Sequence, residues 1–483
     1  MISIRKLYLM TFANPMNKNF SLALAQPQVC KFTIGILIAV LFVSSTLGQD
    51  DWREGMKKIN PQVSDTFSID DTLVKAAGIQ KVSGTHIDLY TDVRDEQKIN
   101  ELVSAFDQAV SQWCSYFGLS VESAESWKMR AFLIADRANP TQFQRAGLMP
   151  DDLPNFKAGF QRRHNFWLYL QPGNYYTRHL LLHEGTHGFM LWFLRGHGPA
   201  WYSEGMAELL GVHQWNNDQL QLNHRLRNRE EAEYWGRVKR IRDERNTENE
   251  LTLEDVVNIP PAGFNDVRYY AWAWAGCEFF QNHPKTKQTF SKLPEMAKLD
   301  EDRFNREFLD LIESNLDVLK RDWLLFINEM DYGYSIARGC LSEASLSGGR
   351  FGSQRTKFQI SAERSWQVTE QKVQQGERFR IESSGEFVVG QSNPSTPWKC
   401  QPNGITIQYH LGRPLGRLQV GILDLEAKTA EQQVKGLLNP LDVGISGVIS
   451  APTNGVLCFR INESPAFLDD NQGALEVVIE KLE

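Results

Sequence analysis

Leu181-Leu182-His183-Glu184-Gly185-Thr186-His187-Gly188 sets two imidazoles four residues apart, with a carboxylate directly after the first. On an α-helix with 3.6 residues per turn, the two histidines stand about 40° apart around the axis and roughly 6 Å apart along it. Both rings can then approach one metal ion at about 2.0 to 2.1 Å, the distance zinc requires. Glu184 lies beside them, aimed at the water such a metal would carry, in the position of a general base. The spacing predicts a helix over this stretch, with Zn2+ as the cofactor held on its face.

A catalytic zinc takes three protein ligands and keeps one position open. After His187, the run Pro199-Ala-Trp-Tyr-Ser-Glu204-Gly-Met-Ala-Glu208 opens a second helical stretch with carboxylates at i and i+4, the first of them seventeen residues beyond His187. A carboxylate of this kind completes the ligand set. The competing reading makes Glu204 and Glu208 a solvated helix face. His-Glu-x-x-His followed by Trp-x-x-Glu-Gly-x-Ala resembles the signature of the gluzincin metallopeptidases. The resemblance implies Glu204 as third ligand. It also implies that Glu208, one turn on, accepts a hydrogen bond from the far ring nitrogen of His183 and so fixes that ligand's tautomer.

A peptidase also needs a donor for the oxyanion formed during attack on a carbonyl. Arg268-Tyr269-Tyr270-Ala-Trp-Ala-Trp-Ala-Gly-Cys-Glu-Phe-Phe places tyrosines at the head of a strongly apolar, helical segment. Its Tyr-Ala-x-x-Trp-Ala pattern is similar to a segment of peptidase-MA-like bacterial proteins, which favours Tyr270 as that donor. Tyr269 competes, and both tyrosines also fit as amphipathic core residues. His179, His197 and His213 read as structural or rim residues.

The chain's 483 residues exceed one ordinary core, so at least two domains are expected. A hydrophobic fraction of 42% with 13 tryptophans supplies ample apolar surface to bury. Net charge is -7, without a Lys/Arg stripe, which argues against nucleic acid as a partner. Lys31, the apolar run Phe32 to Val43 and the small residues before Gln49 read as a secretory signal peptide over 1–48. The run is too short for the roughly 20 residues of a membrane span. A secreted, periplasmic or cell-surface protein without a stable membrane span is therefore expected.

Residues 49–80 read as an N-terminal extension and 81–340 as the metal-binding domain, with strands at His86–Asp92, Met129–Ala135 and Phe166–Gln171 and a helix at Lys98–Phe117. In zincins the strand ahead of the metal helix is often a sheet edge that pairs with extended substrate, so the resemblance implies such an edge at Phe166–Gln171. Gly185 and Gly188 each weaken a helix by about 1 kcal/mol, which predicts close packing against it. The charge-dense Arg225–Arg245 reads as a solvated helix face, and Arg303–Met330 as one long amphipathic helix.

Ser345 to Ser353, rich in Gly and Ser, marks a linker over 341–355. Beyond it, period-two segments at Phe379–Ile381, Ile405–Tyr409, Leu418–Leu423, Val456–Ile461 and Leu475–Ile479 predict an all-β sandwich over 356–483. Gly376-Glu-Arg-Phe-Arg-Ile, Pro402-Asn-Gly404, Leu415-Gly-Arg-Leu and Gly455-Val-Leu-Cys-Phe-Arg-Ile-Asn462-Glu resemble the PA-IL-like galactose-binding lectin domain, a jelly roll. That family holds calcium and sugar through hard oxygens, which Asp469, Asp470 and Asn471 could supply; the same residues serve equally as a turn. The family's Asn-Asp pair is Asn462-Glu463 here. Cys400 and Cys458 could form a disulfide in an exported protein, while Cys114 and Cys277 read as buried thiols.

The sequence thus predicts an α+β chain: a zincin-like catalytic domain, a mixed sheet with helices, followed by a jelly-roll sandwich. The function expected is that of a secreted zinc peptidase acting on peptides, proteins or glycoproteins. Glu184 and Tyr270 are its catalytic groups, His183, His187 and Glu204 its ligands, and Glu208 supports them. The lack of a Gly-x-Met-x-Asn stretch ahead of the metal helix favours an endopeptidase. The alternative is an exported glycan-binding or adhesive protein with a structural or inactive zinc site.

Overall fold

The computed structural model describes residues 68–346, 355–391 and 396–483. The expected signal peptide, the larger part of the N-terminal extension and most of the linker lie outside the described residues. The architecture is α+β. Five strands, β1 (Gln80–Ser83), β2 (Ile87–Thr91), β3 (Met129–Ile134), β4 (Gly159–Arg162) and β5 (Asn165–Tyr169), form one sheet in the order β1-β2-β3-β5-β4. β2, β3 and β5 run parallel, and β1 and β4 are antiparallel strands at the two edges. The parallel β2–β3 pair needs a long crossover, which α1 (Glu96–Tyr116) supplies from an N-cap at Asp95.

The strand expected at Phe166–Gln171 is β5, and it is not a sheet edge. The chain reverses at Arg163, in the left-handed region at φ 57°, and β4 covers β5, so the unpaired edge belongs to Gly159–Arg162. Four residues with little alternation are too short to be told from loop by pattern.

Two helices sit at the centre, α2 (Asn174–Phe189) and α3 (Ala200–Gly211). Every residue of α2 from Thr177 onward and every residue of α3 is buried. Such helices have no solvated face, and their polar groups must find partners inside. The glycines of α2 are packed as expected: a β-carbon at Gly185 would lie 2.6 Å from Phe106 and one at Gly188 2.3 Å from Met129. After α2 a π-turn over Met190–Leu194 ends at Arg195, in the left-handed region at φ 59°, and the chain doubles back into α3.

Arg225–Arg245 is not one solvated helix. It contains a short 3-10 turn, Arg229–Ala232, and α4 (Arg237–Glu244), whose first and last residues are buried. Both charges meet partners contributed by other helices, which a one-dimensional charge count does not reveal. Arg303–Met330 is likewise two helices, Glu301–Ile312 and a later one, broken by a 3-10 turn at Glu313–Asn315. Ser314 and Asn315, weak helix formers that compete for backbone hydrogen bonds, sit at the break. Between α4 and this pair runs α5 (Val267–Asn282); the last helix of the pair is α6 (Leu316–Glu329).

The C-terminal residues form two five-stranded sheets. One contains Ser446–Ser450, Arg378–Ser384, Ala474–Leu482, Arg355–Ser361 and Ser345–Leu346 in that order. The other contains Leu441–Asp442, Leu418–Leu423, Gly455–Ile461, Gln367–Val373 and Ser342–Glu343. Phe358, Phe379, Ile381, Leu418, Phe459 and Val477 belong to the apolar core they share. The region is not wholly strand: Ala430–Leu438 is a helix capped by Thr429, with Val434 and Leu437 buried against Leu324 and Leu325 of α6. Its short 3.6-period stripe was masked by the surrounding alternation.

All five described cysteines are free and buried, so the expected Cys400–Cys458 disulfide is absent. Cys400 packs in the core between the two sheets, whereas Cys458 joins the cluster against α6. The two thiols lie in separate apolar layers. Among the described residues no helix is long and apolar enough to cross a membrane.

Candidate metal centre

α2 and α3 pack side by side, and α3 leans on α5 through Gly205, where a β-carbon would lie 2.5 Å from the Cys277 sulfur and 2.6 Å from the Ala273 carbonyl oxygen. The small residue of the Glu-Gly-x-Ala run thus draws α5 onto the face that carries Glu204. Three side chains converge as a result. His183 Nε2 and His187 Nε2 are 3.2 Å apart, and each is 3.3 Å from Glu204 Oε2. Ligands held at about 2.0 to 2.1 Å around a tetrahedral zinc are spaced about 3.3 to 3.4 Å from one another. The observed triangle has that size, its donors are the nitrogen and carboxylate types zinc prefers, and all three residues are buried. The donor set fits a divalent ion.

Burial opposes the charge of Glu204, but the imidazoles of His187 and His183 hold its pKa well below the ordinary carboxylate value. Glu184 behaves oppositely. Burial, helped by the nearby carboxylates of Glu204 and Glu208 and opposed by His187, pushes its pKa up to about 8. Two glutamates in one site are thereby driven apart, one anionic and one able to hold a proton, the division of labour that acid/base chemistry uses. Edge strand β4 lies directly against Glu184: a β-carbon at Gly159 would be 2.3 Å from its Oε1.

The support around the ligands is more extensive than the sequence reading. His187 Nδ1 faces the hydroxyl of Ser203 at 3.3 Å. Glu208 approaches His183 Nδ1 at 3.6 Å, beyond a good hydrogen bond, and its carboxylate is engaged more closely elsewhere. Arg237 donates through Nη2 to Oε1 at 2.8 Å and through Nε to Oε2 at 3.0 Å. Trp235 Nε1 donates to Oε2 at 3.1 Å, and His179 Nε2 stands 3.3 Å from the same oxygen. Burial works against the charge on Arg237, yet Glu208 and Tyr176 hold its pKa above the ordinary value. Ser203 and Arg237 carried no distinguishing signal in the sequence, since a serine before a glutamate and an arginine in a charged run are both common.

Tyr270 lies at the site, its ring centroid 6.1 Å from that of His183. Burial, with the carboxylates of Glu204, Glu184 and Glu208, raises its pKa well above the phenol's ordinary value, so the hydroxyl keeps its proton. Tyr269 instead packs under Arg268, whose guanidinium sits 4.8 Å over its ring. His197 packs edge-on against His187, with 5.6 Å between centroids. His213 is buried beside Gly211 O at 2.8 Å and stacks on Tyr175 at 4.5 Å.

A third buried cluster, His283, Asp322 and Cys340, is less suited to a metal. His283 Nδ1 accepts the Lys285 backbone N–H at 3.1 Å, which leaves the proton on Nε2, where it faces Asp322 at 2.9 Å. The nitrogen a metal would need is a donor. In the C-terminal loop, Asp469 pairs with Arg225 at 2.6 Å, and Asn471 turns inward to donate to Ala362 O at 2.9 Å and to Glu463 at 2.7 Å.

No family model and no curated protein matches the chain. Among solved structures, the EclA N-terminal domain, described as a PllA-like lectin, is 18% identical and covers 27% of this chain and 96% of its own, at a TM-score of 0.19. PliG of Aeromonas hydrophila, a periplasmic lysozyme inhibitor of g-type lysozyme, is 8% identical and covers 29% of this chain and 97% of its own, at a TM-score of 0.17.

Proposed function

We propose that the chain is an exported zinc peptidase whose zincin-like part hydrolyses peptide bonds and whose jelly-roll part is an accessory domain. The observation that carries the reading is the triangle of His183 Nε2, His187 Nε2 and Glu204 Oε2, with edges of 3.2, 3.3 and 3.3 Å. Zinc held there would lower the pKa of a water towards about 7 and polarise a carbonyl. Glu184 would take the proton of the attacking water and pass it to the leaving amine; burial raises its pKa to about 8, and a divalent cation beside it would draw that value down and favour the carboxylate the base needs. Tyr270 donates its hydroxyl proton in a hydrogen bond to the oxyanion. Edge strand β4, beside Glu184, offers backbone groups to an extended peptide, in keeping with an endopeptidase. Replacing Glu184 by Gln is expected to abolish cleavage of a mixed-peptide library while metal content stays at the wild-type level. Retained cleavage would remove the mechanism.

A second reading, an exported glycan-binding or adhesive protein with an idle zinc site, draws on the closed character of the centre: His183, Glu184, His187 and Glu204 are 5%, 6%, 7% and 6% exposed. Retention of the full chain on a glycan array, with no cleavage of peptide libraries, would favour it. Calcium at Asp469, Asp470 and Asn471 would belong to that reading.

A further inference from the structure

The sequence writes the metal triad twice. His179, His183 and His187 succeed one another by one turn on α2, as Glu204 and Glu208 do on α3. Packing the helices side by side therefore builds a second cluster, His179, His183 and Glu208, whose ligand atoms lie within 4.8 Å of one another. Glu208 Oε2 is 3.3 Å from His179 Nε2, and Oε1 is 3.6 Å from His183 Nδ1. His183 belongs to both triads and faces them with opposite nitrogens. A metal in the second would need His183 Nδ1, the ring nitrogen opposite the one that faces the first.

Arg237 distinguishes the two. Its guanidinium contacts both oxygens of Glu208, at 2.8 and 3.0 Å, from the start of α4, with Gly236 before it in the left-handed region at φ 66°. Trp235 adds a third donor at 3.1 Å. Arg237 also faces Tyr270, whose ring centroid is 5.9 Å away. Three donors already occupy most of the roughly four lone-pair positions of this carboxylate, which weakens it as a ligand, and the guanidinium charge repels a divalent ion at that distance.

We propose that Arg237 selects between the triads: by holding Glu208 on both oxygens it silences a latent second metal site and leaves His183 to the first. The inference rests on the reading of His183, His187 and Glu204 as the metal centre. The test uses the full chain, dialysed against zinc alone and analysed for bound metal. Wild type should hold one equivalent, and H187Q, which breaks the first triad, none. H187Q/R237Q should regain one equivalent, bound at least about 100-fold more tightly than by H187Q. Adding E208Q should remove it again. A double variant that stays without metal overturns the proposal, as does an H187Q chain that still holds its ion. A wild type without zinc would instead overturn the metal centre itself. Should the double variant prove unfolded by circular dichroism, H187Q/R237M, which removes both the charge and the two-pronged grip but keeps an apolar stem in the space, carries the same test. A regained equivalent there supports the proposal, and none refutes it.

Discussion

Gly159→Ala adds one methyl group to the edge strand and should disable the site without emptying it. The new β-carbon would lie 2.3 Å from Glu184 Oε1, 2.9 Å from its Cδ and 3.0 Å from its Cγ. Ordinary contact begins near 3.4 Å, so the carboxylate or the strand must give way by about 1 Å. β4 pairs with β5 on one side only, and Gly159 lies opposite Leu168 in that register. Part of the shift will therefore fall on the strand, at a stability cost of about 1–3 kcal/mol. The rest falls on Glu184; since a displacement of about 1 Å in such a group costs roughly 100-fold in rate, about 2.7 kcal/mol in the barrier, a loss of up to that size is expected. The ligands are not touched, so bound zinc should remain at the wild-type level. The assay pairs peptide-library cleavage with metal analysis and a urea melt. Undiminished kcat, or loss of zinc in step with loss of rate, would refute the assignment of Gly159 as the residue that leaves Glu184 its place.

Ser203→Ala removes the hydroxyl facing His187 Nδ1 at 3.3 Å and should weaken zinc affinity by about 10- to 100-fold, measured by competition with a chelator. Glu278 on α5 has its pKa pushed up by burial to about 7, against the pull of Arg225. The folded state holds this proton more tightly than the unfolded state, so its contribution to stability is full below about 4.5 and is lost as pH rises through about 7. Urea midpoints at pH 5 and pH 8 should differ less in Glu278→Gln than in wild type; an unchanged difference would count against the buried carboxyl. Arg460, 1% exposed, reaches from the C-terminal sheets to Glu329 of α6, donates to Gln419 at 3.1 Å and lies 4.6 Å over the Trp366 ring. Arg460→Met strands a largely buried carboxylate and should cost about 3–5 kcal/mol by calorimetry. A change below about 1 kcal/mol would show that the pair is not what joins the sheets to α6.

The Asp469–Asn471 loop and the C-terminal sheets have a structural part to play whichever function holds. Asp469 pairs with Arg225, the Ser335 backbone N–H donates to Pro465 O at 3.1 Å, and the helix Ala430–Leu438 fills the space against α6. The C-terminal sheets are thus packed onto the helices through charged, apolar and backbone contacts at once. Sheets joined in this way present their remaining surface in a fixed orientation.

Local chemistry was legible in the chain itself. His183-x-x-x-His187 is a metal-ready pair because one helical turn fixes the geometry of residues four apart, and the strands at Ile87–Thr91, Met129–Ile134 and Leu418–Leu423 follow from period-two alternation. Relations that span the fold were not legible. Glu204 meets the histidines only because Gly205 and the buried faces of two central helices set α3 beside α2. Gly159 meets Glu184 because a hairpin, rather than the strand before the metal helix, forms the sheet edge. Arg237 finds Glu208, and Cys400 fails to find Cys458, for the same reason: contacts between residues far apart in sequence are set by which faces pack together. Periodicity tells which face a residue occupies within its own element, but it does not say what that face will meet.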